Sequence, residues 1–122
     1  MESLPGLFVS HNDNLEEFDF TTIESITWVS IDNNAKLENL YGLSSLQSSW
    51  WFDIKHNPSL TDINGLSNLN SVYGDLNFIN NDVLLNLDGL HNLNFIGGTL
   101  RITENLNLND IDGLYSLYSI DE

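Results

Sequence analysis

Apolar residues recur along the chain at a fixed spacing, so that a set of up to ten positions returns every 23 or 24 residues. One unit begins at Phe52 and has apolar residues at 52, 54, 60, 63, 66, 69 and 72, asparagine at 57, and glycine at 65 and 74. Adding 24 once or twice returns the pattern from Leu76 and from Leu100, and subtracting 23 returns it from Val29. A degenerate unit begins at Leu7. Matches of this length in register predict a repeat protein.

Each unit opens with the alternation of a β-strand, as in Leu76-x-Phe78. One unit cannot bury its own apolar side, whereas units stacked about 4.8 Å apart bury it together. We therefore predict a β-solenoid of about five coils of 23–24 residues with one parallel sheet. Its strands are expected near residues 7–9, 29–31, 52–54, 76–78 and 100–102. A single domain is expected over residues 1–122, with a degenerate N-terminal coil at 1–27 and regular coils at 28–122.

Conserved spacing within the units also places glycine and asparagine at fixed points. Gly65 suits a turn that needs either a positive φ or close packing. The chain is then expected to return through Leu69 and Val72 as a short 3₁₀ or irregular segment. An asparagine follows each predicted strand, and its amide offers two donors and an acceptor to the backbone of neighbouring units. We predict a buried ladder formed by Asn12, Asn34, Asn57, Asn81 and Asn105.

The order of strand and asparagine resembles the leucine-rich repeat, whose signature is L-x-x-L-x-L-x-x-N/C-x-L. The unit from Leu76 to Gly98 is closer still to the receptor L-domain-like repeats of bacterial and fungal surface proteins. Those repeats follow L-x-I-x-x-N-x-x-L-x-x-I-x-G-L-x-x-L-x-x-I-x-G, and the resemblance covers about residues 28–120. It implies an α/β leucine-rich-repeat-like solenoid with a general binding role. It implies no catalytic residues, because every position of the motif belongs to the scaffold.

Composition excludes several classes of function. The 122 residues include 18 acidic and 3 basic side chains, which gives a net charge of −15. Direct nucleic-acid binding and attachment to anionic membranes are therefore not expected, because both need clustered Lys and Arg. No apolar run approaches the roughly 18 residues of a membrane span. The first residues lack the features of a signal peptide, so a cytoplasmic location is expected, or a secreted or surface-attached one if the sequence is a fragment.

Outward strand positions and an aromatic edge form the candidate binding site. Trp28 and Trp51 occupy the same place in successive units and are expected to stack, and Asp32 is expected to pair with Lys55 across two strands. This side of a solenoid is where partners usually bind. The candidate partner-binding residues are Trp28, Trp50, Trp51, Asp32, Asp53, Lys55, Ile79 and Arg101.

A non-enzymatic protein–protein interaction module is the function that the sequence favours. His11, His56 and His91 fall on different units, and no nucleophile–base set or metal-ligand set converges, so no catalytic residue, cofactor or metal is expected. One alternative is an acidic nucleic-acid mimic that inhibits a DNA- or RNA-binding enzyme, of the phage anti-restriction or anti-CRISPR type. Another is a cell-surface calcium or carbohydrate binder. Recurring acids are interpreted as a solvated acidic surface: Asp62, Asp88, Asp110 and Asp112.

The C-terminal unit is expected to expose an apolar edge. Strand starts at 52, 76 and 100 place the next at 124, beyond Glu122. Either the sequence is a fragment, or another molecule covers this edge. Since an uncovered apolar edge favours pairing, we predict a homodimer through this unit. The residues expected at that edge are Leu100, Leu108, Ile111, Leu114 and Leu117.

Overall fold

The computed structural model describes residues 2–120, and these form one parallel sheet of eight strands with no α-helix. The strands are β1 (Ser3–Ser10), β2 (Ser25–Asp32), β3 (Ser48–Lys55), β4 (Ser71–Val72), β5 (Leu76–Ile79), β6 (Phe95–Ile96), β7 (Leu100–Thr103) and β8 (Ser119–Ile120). The sheet is open rather than closed into a barrel. This confirms the predicted parallel sheet and is consistent with a β-solenoid. The predicted domain also includes residue 1 and residues 121–122, which lie outside the described residues.

The register of the sheet follows the sequence repeat. Phe52 of β3 pairs with Val29 of β2 on one side and with Leu76 of β5 on the other. Leu7 pairs with Val29 and Leu100 with Leu76, so residues at the same repeat position are neighbours from β1 to β7. Each predicted strand core lies within an observed strand. Side chains that alternate inward from these strands form the core, in which Phe52 is fully buried.

A second strip of sheet, missed by the sequence analysis, precedes the predicted strands. β1, β2 and β3 begin about four residues early, and β4, β6 and β8 continue that strip. Val72 was expected in a 3₁₀ or irregular segment, but it pairs with Ser49 and Ile96 within the sheet. The 3₁₀ helices instead lie at the glycines, at Tyr41–Leu43, Asn64–Leu66, Asp88–Leu90 and Asp112–Leu114.

The two strips meet at a corner, and the number of residues in this corner differs between the earlier and the later repeats. Thr27 and Trp28 are consecutive and both exposed, which breaks the inward–outward alternation of β2. Ser49 pairs with Val72, a step of 72 − 49 = 23, whereas Phe52 pairs with Leu76, a step of 76 − 52 = 24. The later repeats therefore hold one extra residue at the corner, as in a β-bulge, and their strands are split there.

Close packing, rather than a positive φ, explains the repeated glycines. A Cβ added to Gly65 would lie 1.9 Å from the carbonyl oxygen of Leu40, so the 3₁₀ helix of one repeat rests directly on the preceding backbone. No described glycine has a positive φ, so of the two predicted alternatives close packing is the one that is confirmed. Left-handed backbone occurs instead just after the strands, at His11, Asn33, His56, Asn80 and Glu104. Within residues 2–120, no helix has the length and apolar character needed to cross a bilayer.

Candidate binding surface

The strand ends that carry the candidate site are held by a column of asparagines. The Oδ1 of Asn57 accepts hydrogen bonds from the backbone N and the Nδ2 of Asn34, both at 3.2 Å. Its Nδ2 donates to the carbonyl oxygen of Ile31 at 3.0 Å, and its backbone N donates to Asn81 Oδ1 at 3.1 Å. The structure brings together all five predicted residues, with the same pattern from Asn12 to Asn105. Asn34, Asn57 and Asn81 are fully buried, as predicted. The prediction of burial is wrong for Asn12, which is exposed, and for Asn105, which is only partly buried, because these two are the end members of the column.

An aromatic row follows the corner of the sheet. It consists of Trp28, Trp51, Trp50, Tyr73 and Phe95. The rings of Trp28 and Trp51 are stacked, with centroids 4.4 Å apart and planes at 12°, and Trp50 lies beside them, its ring centroid 6.3 Å from that of Trp51. Trp50 lies 5.7 Å from Tyr73, and Tyr73 lies 6.1 Å from Phe95. Trp28, Trp50 and Tyr73 each keep about half of their surface exposed (47%, 51% and 46%), so the row presents apolar area to solvent.

Local sequence explains why the row can form. The corner step from Trp28 to Trp51 is 23 residues, and the two residues are register partners in β2 and β3. In the next repeat Gly74 lies under the Trp51 indole, where an added Cβ would be 3.2 Å from the ring. Its backbone N donates to the carbonyl oxygen of Trp50 at 2.7 Å. A side chain at Gly74 would therefore clash with the carbonyl oxygen of Trp50, 2.6 Å from the added Cβ, and would also crowd the Trp51 indole.

Polar residues on the outward side of β3, β5 and β7 form a connected chain. Lys55 Nζ lies 3.2 Å from Asp53 Oδ2, Asn77 Nδ2 donates to Asp53 Oδ1 at 2.5 Å, and Arg101 Nη1 donates to Asn77 Oδ1 at 3.0 Å. Two of the three basic side chains are thus held by partners on the sheet. Arg101 is exposed, and the Lys55 side chain keeps 31% of its surface accessible.

The predicted pair of Asp32 with Lys55 is replaced by two other contacts. Asp32 and Lys55 are register partners, but Asp32 Oδ1 lies 2.8 Å from His56 Nδ1, and Lys55 turns to Asp53 on its own strand. Asp53 and Lys55 are two residues apart, so their side chains leave the strand on the same side. Ile79 of β5 pairs with Lys55 and is partly buried. The eight predicted partner-binding residues therefore lie on β2, β3, β5 and β7.

A groove of about 460 Å³ lies beyond the strand ends. It is lined by His11, Asp13, Asn33, Ala35, His56, Pro58, Asn80 and Asp82. One carboxylate oxygen of Asp82 is buried there without a hydrogen-bond partner among the described residues. Across residues 2–120, no three side chains of the His, Cys, Asp and Glu types are grouped so as to hold a metal ion.

Four side chains on the return side have a role that the sequence analysis missed. The Oδ1 atoms of Asp62 and Asp110 accept hydrogen bonds from the backbone N of the second residue after each, both at 2.7 Å. The Oδ1 atoms of Asn39 and Asn86 accept the equivalent backbone hydrogen bonds, each with an N···O distance of 3.0 Å. The sequence does contain a signal for these turns, because each of the four Asp or Asn residues lies three positions before a repeated glycine. Asp62 and Asp110 therefore each accept a hydrogen bond from the first residue of the 3₁₀ helix that follows, and are not only a solvated acidic surface.

Asp62 also binds the neighbouring repeat. The Tyr41 hydroxyl donates a hydrogen bond to its carboxylate. The pKa of Tyr41 is raised above its ordinary value, first by this hydrogen bond and second by the charge of the Asp62 carboxylate. The acidic surface on this side is thus partly organised by side-chain contacts between repeats.

The C-terminal repeat is less well covered than the repeat before it. Leu100, Leu108, Leu114 and Leu117 are partly buried, and Ile111 is 56% exposed. Leu76, Leu84, Leu87, Leu90 and Leu93 are the corresponding residues one repeat earlier, and all are buried. In the described part of the chain β7 pairs only with β5, so this edge is open there. The homodimer through this edge stays a prediction.

Comparison of the chain with protein-family models, with curated proteins and with solved structures yields no match. The functional argument therefore depends on the geometry of the aromatic row and the outward side of the sheet.

Proposed function

We propose that this chain is a non-enzymatic protein-interaction module, built as a leucine-rich-repeat-like solenoid of about five coils. It binds a protein partner through the aromatic row and the adjoining outward side of the sheet. The observation that carries the proposal is the row itself, which keeps three large rings about half exposed while fixing them against one another.

Exposed aromatic groups in a fixed arrangement are suited to binding. Trp and Tyr supply large contact areas and are enriched among the residues that dominate interface energies. Trp28 is already stacked on Trp51, so less conformational entropy is lost when a partner covers it. Contiguous exposed apolar surface on a soluble protein typically marks an interaction site.

The repeated polar residues support a scaffold role rather than catalysis. The asparagine column satisfies backbone groups at the strand ends, and the return-side turns begin the 3₁₀ helices. On the outward side, Lys55 and Arg101 are engaged with Asp53 and Asn77. Net charge of −15 favours a partner with a basic surface, because complementary fields accelerate encounter.

The test is capture of partners from a host lysate on immobilised protein, at low and at moderate salt. We expect the wild-type chain to retain a partner at both salt concentrations. Trp28→Ala and Trp50→Ala should each weaken the free energy of binding to that partner by about 2 kcal/mol, so that it is no longer captured. Tyr115→Ala is the matched control, because Tyr115 is an exposed aromatic residue (75%) on the return side. Equal capture by all four proteins, with their folds verified by circular dichroism, contradicts the proposal.

A second candidate function is inhibition of a nucleic-acid enzyme by charge mimicry. The observation that favours it is the acidic return side, where Asp88 and Asp112 occupy the same position in successive 3₁₀ helices. This function predicts capture that collapses between low and moderate salt, is competed by DNA or RNA, and survives Trp28→Ala. The same lysate experiment therefore separates the two candidates.

A further inference from the structure

One side of the molecule carries amide groups in place of charges. A groove of about 510 Å³ is lined by Glu24, Ser45, Gln47, Asn68, Asn70, Asn92 and Asn94. Five of these seven residues are carboxamides, and Glu24 is the only one with an ionisable side chain. In a chain with 18 acidic residues, this amide groove is a nearly neutral surface rich in hydrogen-bonding groups.

Backbone hydrogen bonds set the spacing of the amides. The backbone N of Asn70 donates to the carbonyl oxygen of Gln47 at 2.9 Å, and the backbone N of Asn94 donates to that of Asn70 at 3.0 Å. These three residues therefore repeat along the sheet at the interval of a parallel ladder, about 4.8 Å. A binding surface with one interval along its length fits a ligand that is itself built from repeated units.

Side-chain hydrogen bonds hold a second column of amides in place. Asn68 Nδ2 donates to the carbonyl oxygen of Ser44 at 2.7 Å, and Asn92 Nδ2 donates to that of Ser67 at 2.6 Å. A carboxamide that donates one hydrogen bond in this way still carries a second N–H and the lone pairs of its oxygen. Amides fixed before binding lose little entropy when a ligand arrives.

Aromatic rings line a second, smaller groove that the chain reaches directly after the amide groove. Gln47 lines the amide groove, and the next residue, Ser48, lines the second groove together with Trp50 and Tyr73. Both rings are about half exposed. Aromatic faces accept the apolar C–H surface of a sugar ring, whereas amides match hydroxyl groups because both donate and accept hydrogen bonds.

We propose that the amide groove, together with the rings of Trp50 and Tyr73 in the second groove, binds a neutral oligosaccharide. Neutrality follows from the amide lining, because a charged polysaccharide requires opposite charges on the protein. The repeat interval selects a linear chain of several sugar units over a monosaccharide. This site shares Trp50 and Tyr73 with the aromatic row of the proposed protein contact, whereas the amide groove itself lies outside that row.

The test uses wild-type protein labelled with ¹⁵N and two neutral probes, cellohexaose and laminarihexaose. We expect at least one probe to shift the side-chain amide resonances of Gln47, Asn70 and Asn94 at concentrations of about 1 mM. The charged hexamer of galacturonic acid should leave these resonances unshifted. Because this mapping uses the unaltered chain, it does not depend on whether a variant folds.

A paired variant then tests the groove directly by calorimetry. Asn70→Ala combined with Asn94→Ala should weaken binding of the active hexasaccharide at least about tenfold. Asn64→Ala, an exposed asparagine on the return side, is the matched control and should bind as the wild type does. Capture of a protein partner through Trp28 should persist in the paired variant, so failure of one proposal is distinguishable from failure of the other.

Several outcomes overturn the proposal. In the resonance mapping, these are the absence of shifts with both neutral probes at about 10 mM, shifts confined to residues outside the groove, and equal binding of the galacturonate hexamer. In calorimetry, it is undiminished binding by the paired variant. Binding of a neutral extended peptide in place of both sugars also overturns it, because it would identify the groove as a site for a protein strand.

Discussion

Asn34 directs both its backbone N and its Nδ2 at the Oδ1 atom of Asn57, each at 3.2 Å. Both residues are fully buried. Replacing Asn57 with alanine therefore leaves buried donors of Asn34 without a partner. We expect Asn57→Ala to lower the free energy of unfolding by about 3 kcal/mol, measured by urea denaturation.

Asn12 provides the matched control for this substitution. It belongs to the same column but is exposed, so water replaces its partners. Asn12→Ala should lower the free energy of unfolding by about 1 kcal/mol or less. Equal losses for the two variants would show that burial of the column does not stabilise the fold.

Gly65→Ala is expected to be strongly destabilising. Its Cβ would lie 1.9 Å from the Leu40 carbonyl oxygen, a backbone atom that cannot move without shifting the preceding repeat. We expect a loss of about 3 kcal/mol or more in the free energy of unfolding. At Gly6 an added Cβ meets only the end of the exposed Phe8 ring, so Gly6→Ala should cost far less. Similar costs at the two sites would refute the packing argument.

Glu104→Asn is expected to stabilise the protein. Glu104 has φ of 57°, a left-handed conformation that asparagine adopts at lower cost than glutamate. The free energy of unfolding should rise by about 0.5–1 kcal/mol in urea denaturation. The reciprocal change, Asn80→Glu at the same repeat position with φ of 55°, should lower it by a similar amount. Changes of the same sign in both variants would disprove the argument.

Stability at high pH should depend on the contact between Tyr41 and Asp62. The hydrogen bond to the Asp62 carboxylate raises the pKa of Tyr41 in the folded state. Its stabilisation is therefore complete below the pKa of an unfolded tyrosine, about 10, and is lost as the pH rises through the folded value. Asp62→Asn should lower the pKa of Tyr41 towards its ordinary value.

Absorbance titration of tyrosinate measures this effect. The difference between the wild-type curve and that of Tyr41→Phe isolates the transition of Tyr41 from those of Tyr73, Tyr115 and Tyr118. A Tyr41 transition that does not change in Asp62→Asn would contradict the assignment of the shift to this carboxylate.

Self-association through the C-terminal repeat is a further expected outcome. Sedimentation equilibrium should give a dimer for the wild-type chain and a monomer for Ile111→Asp, because Ile111 is 56% exposed at the open edge. Leu85→Asp is the matched control, since Leu85 is similarly exposed (51%) but precedes that edge. A monomeric wild-type chain at high concentration would eliminate the dimer.

Period and alternation in the sequence were sufficient to predict the strand cores and their register. A 24-residue interval between Phe52 and Leu76 brings them side by side, because identical spacing leaves one way to stack the repeats. The earlier strip of sheet was missed because its inward column contains a polar residue. Ser49 is buried there, and its hydroxyl donates to the carbonyl oxygen of Trp51 at 3.1 Å, which no apolar pattern reveals.

Position within the repeat was also sufficient to predict that Trp28 stacks on Trp51, as the structure shows. Side-chain pairing was less predictable. Lys55 has two acidic neighbours and pairs with Asp53, while Asp32 is in contact with His56, which reaches back from the end of the strand. The amide groove could not be predicted from the sequence, because its columns come from segments outside the predicted strands.

Because equivalent positions of successive repeats contact one another, the number of repeats in the molecule can change. Phe52 meets Leu76 just as Leu76 meets Leu100, and Asn57 meets Asn81 just as Asn81 meets Asn105. Excision of residues 76–99 would bring Leu100 and Asn105 to the places that Leu76 and Asn81 now fill. Evolution can thus lengthen or shorten this protein by whole modules through duplication or deletion, while the interior needs no redesign.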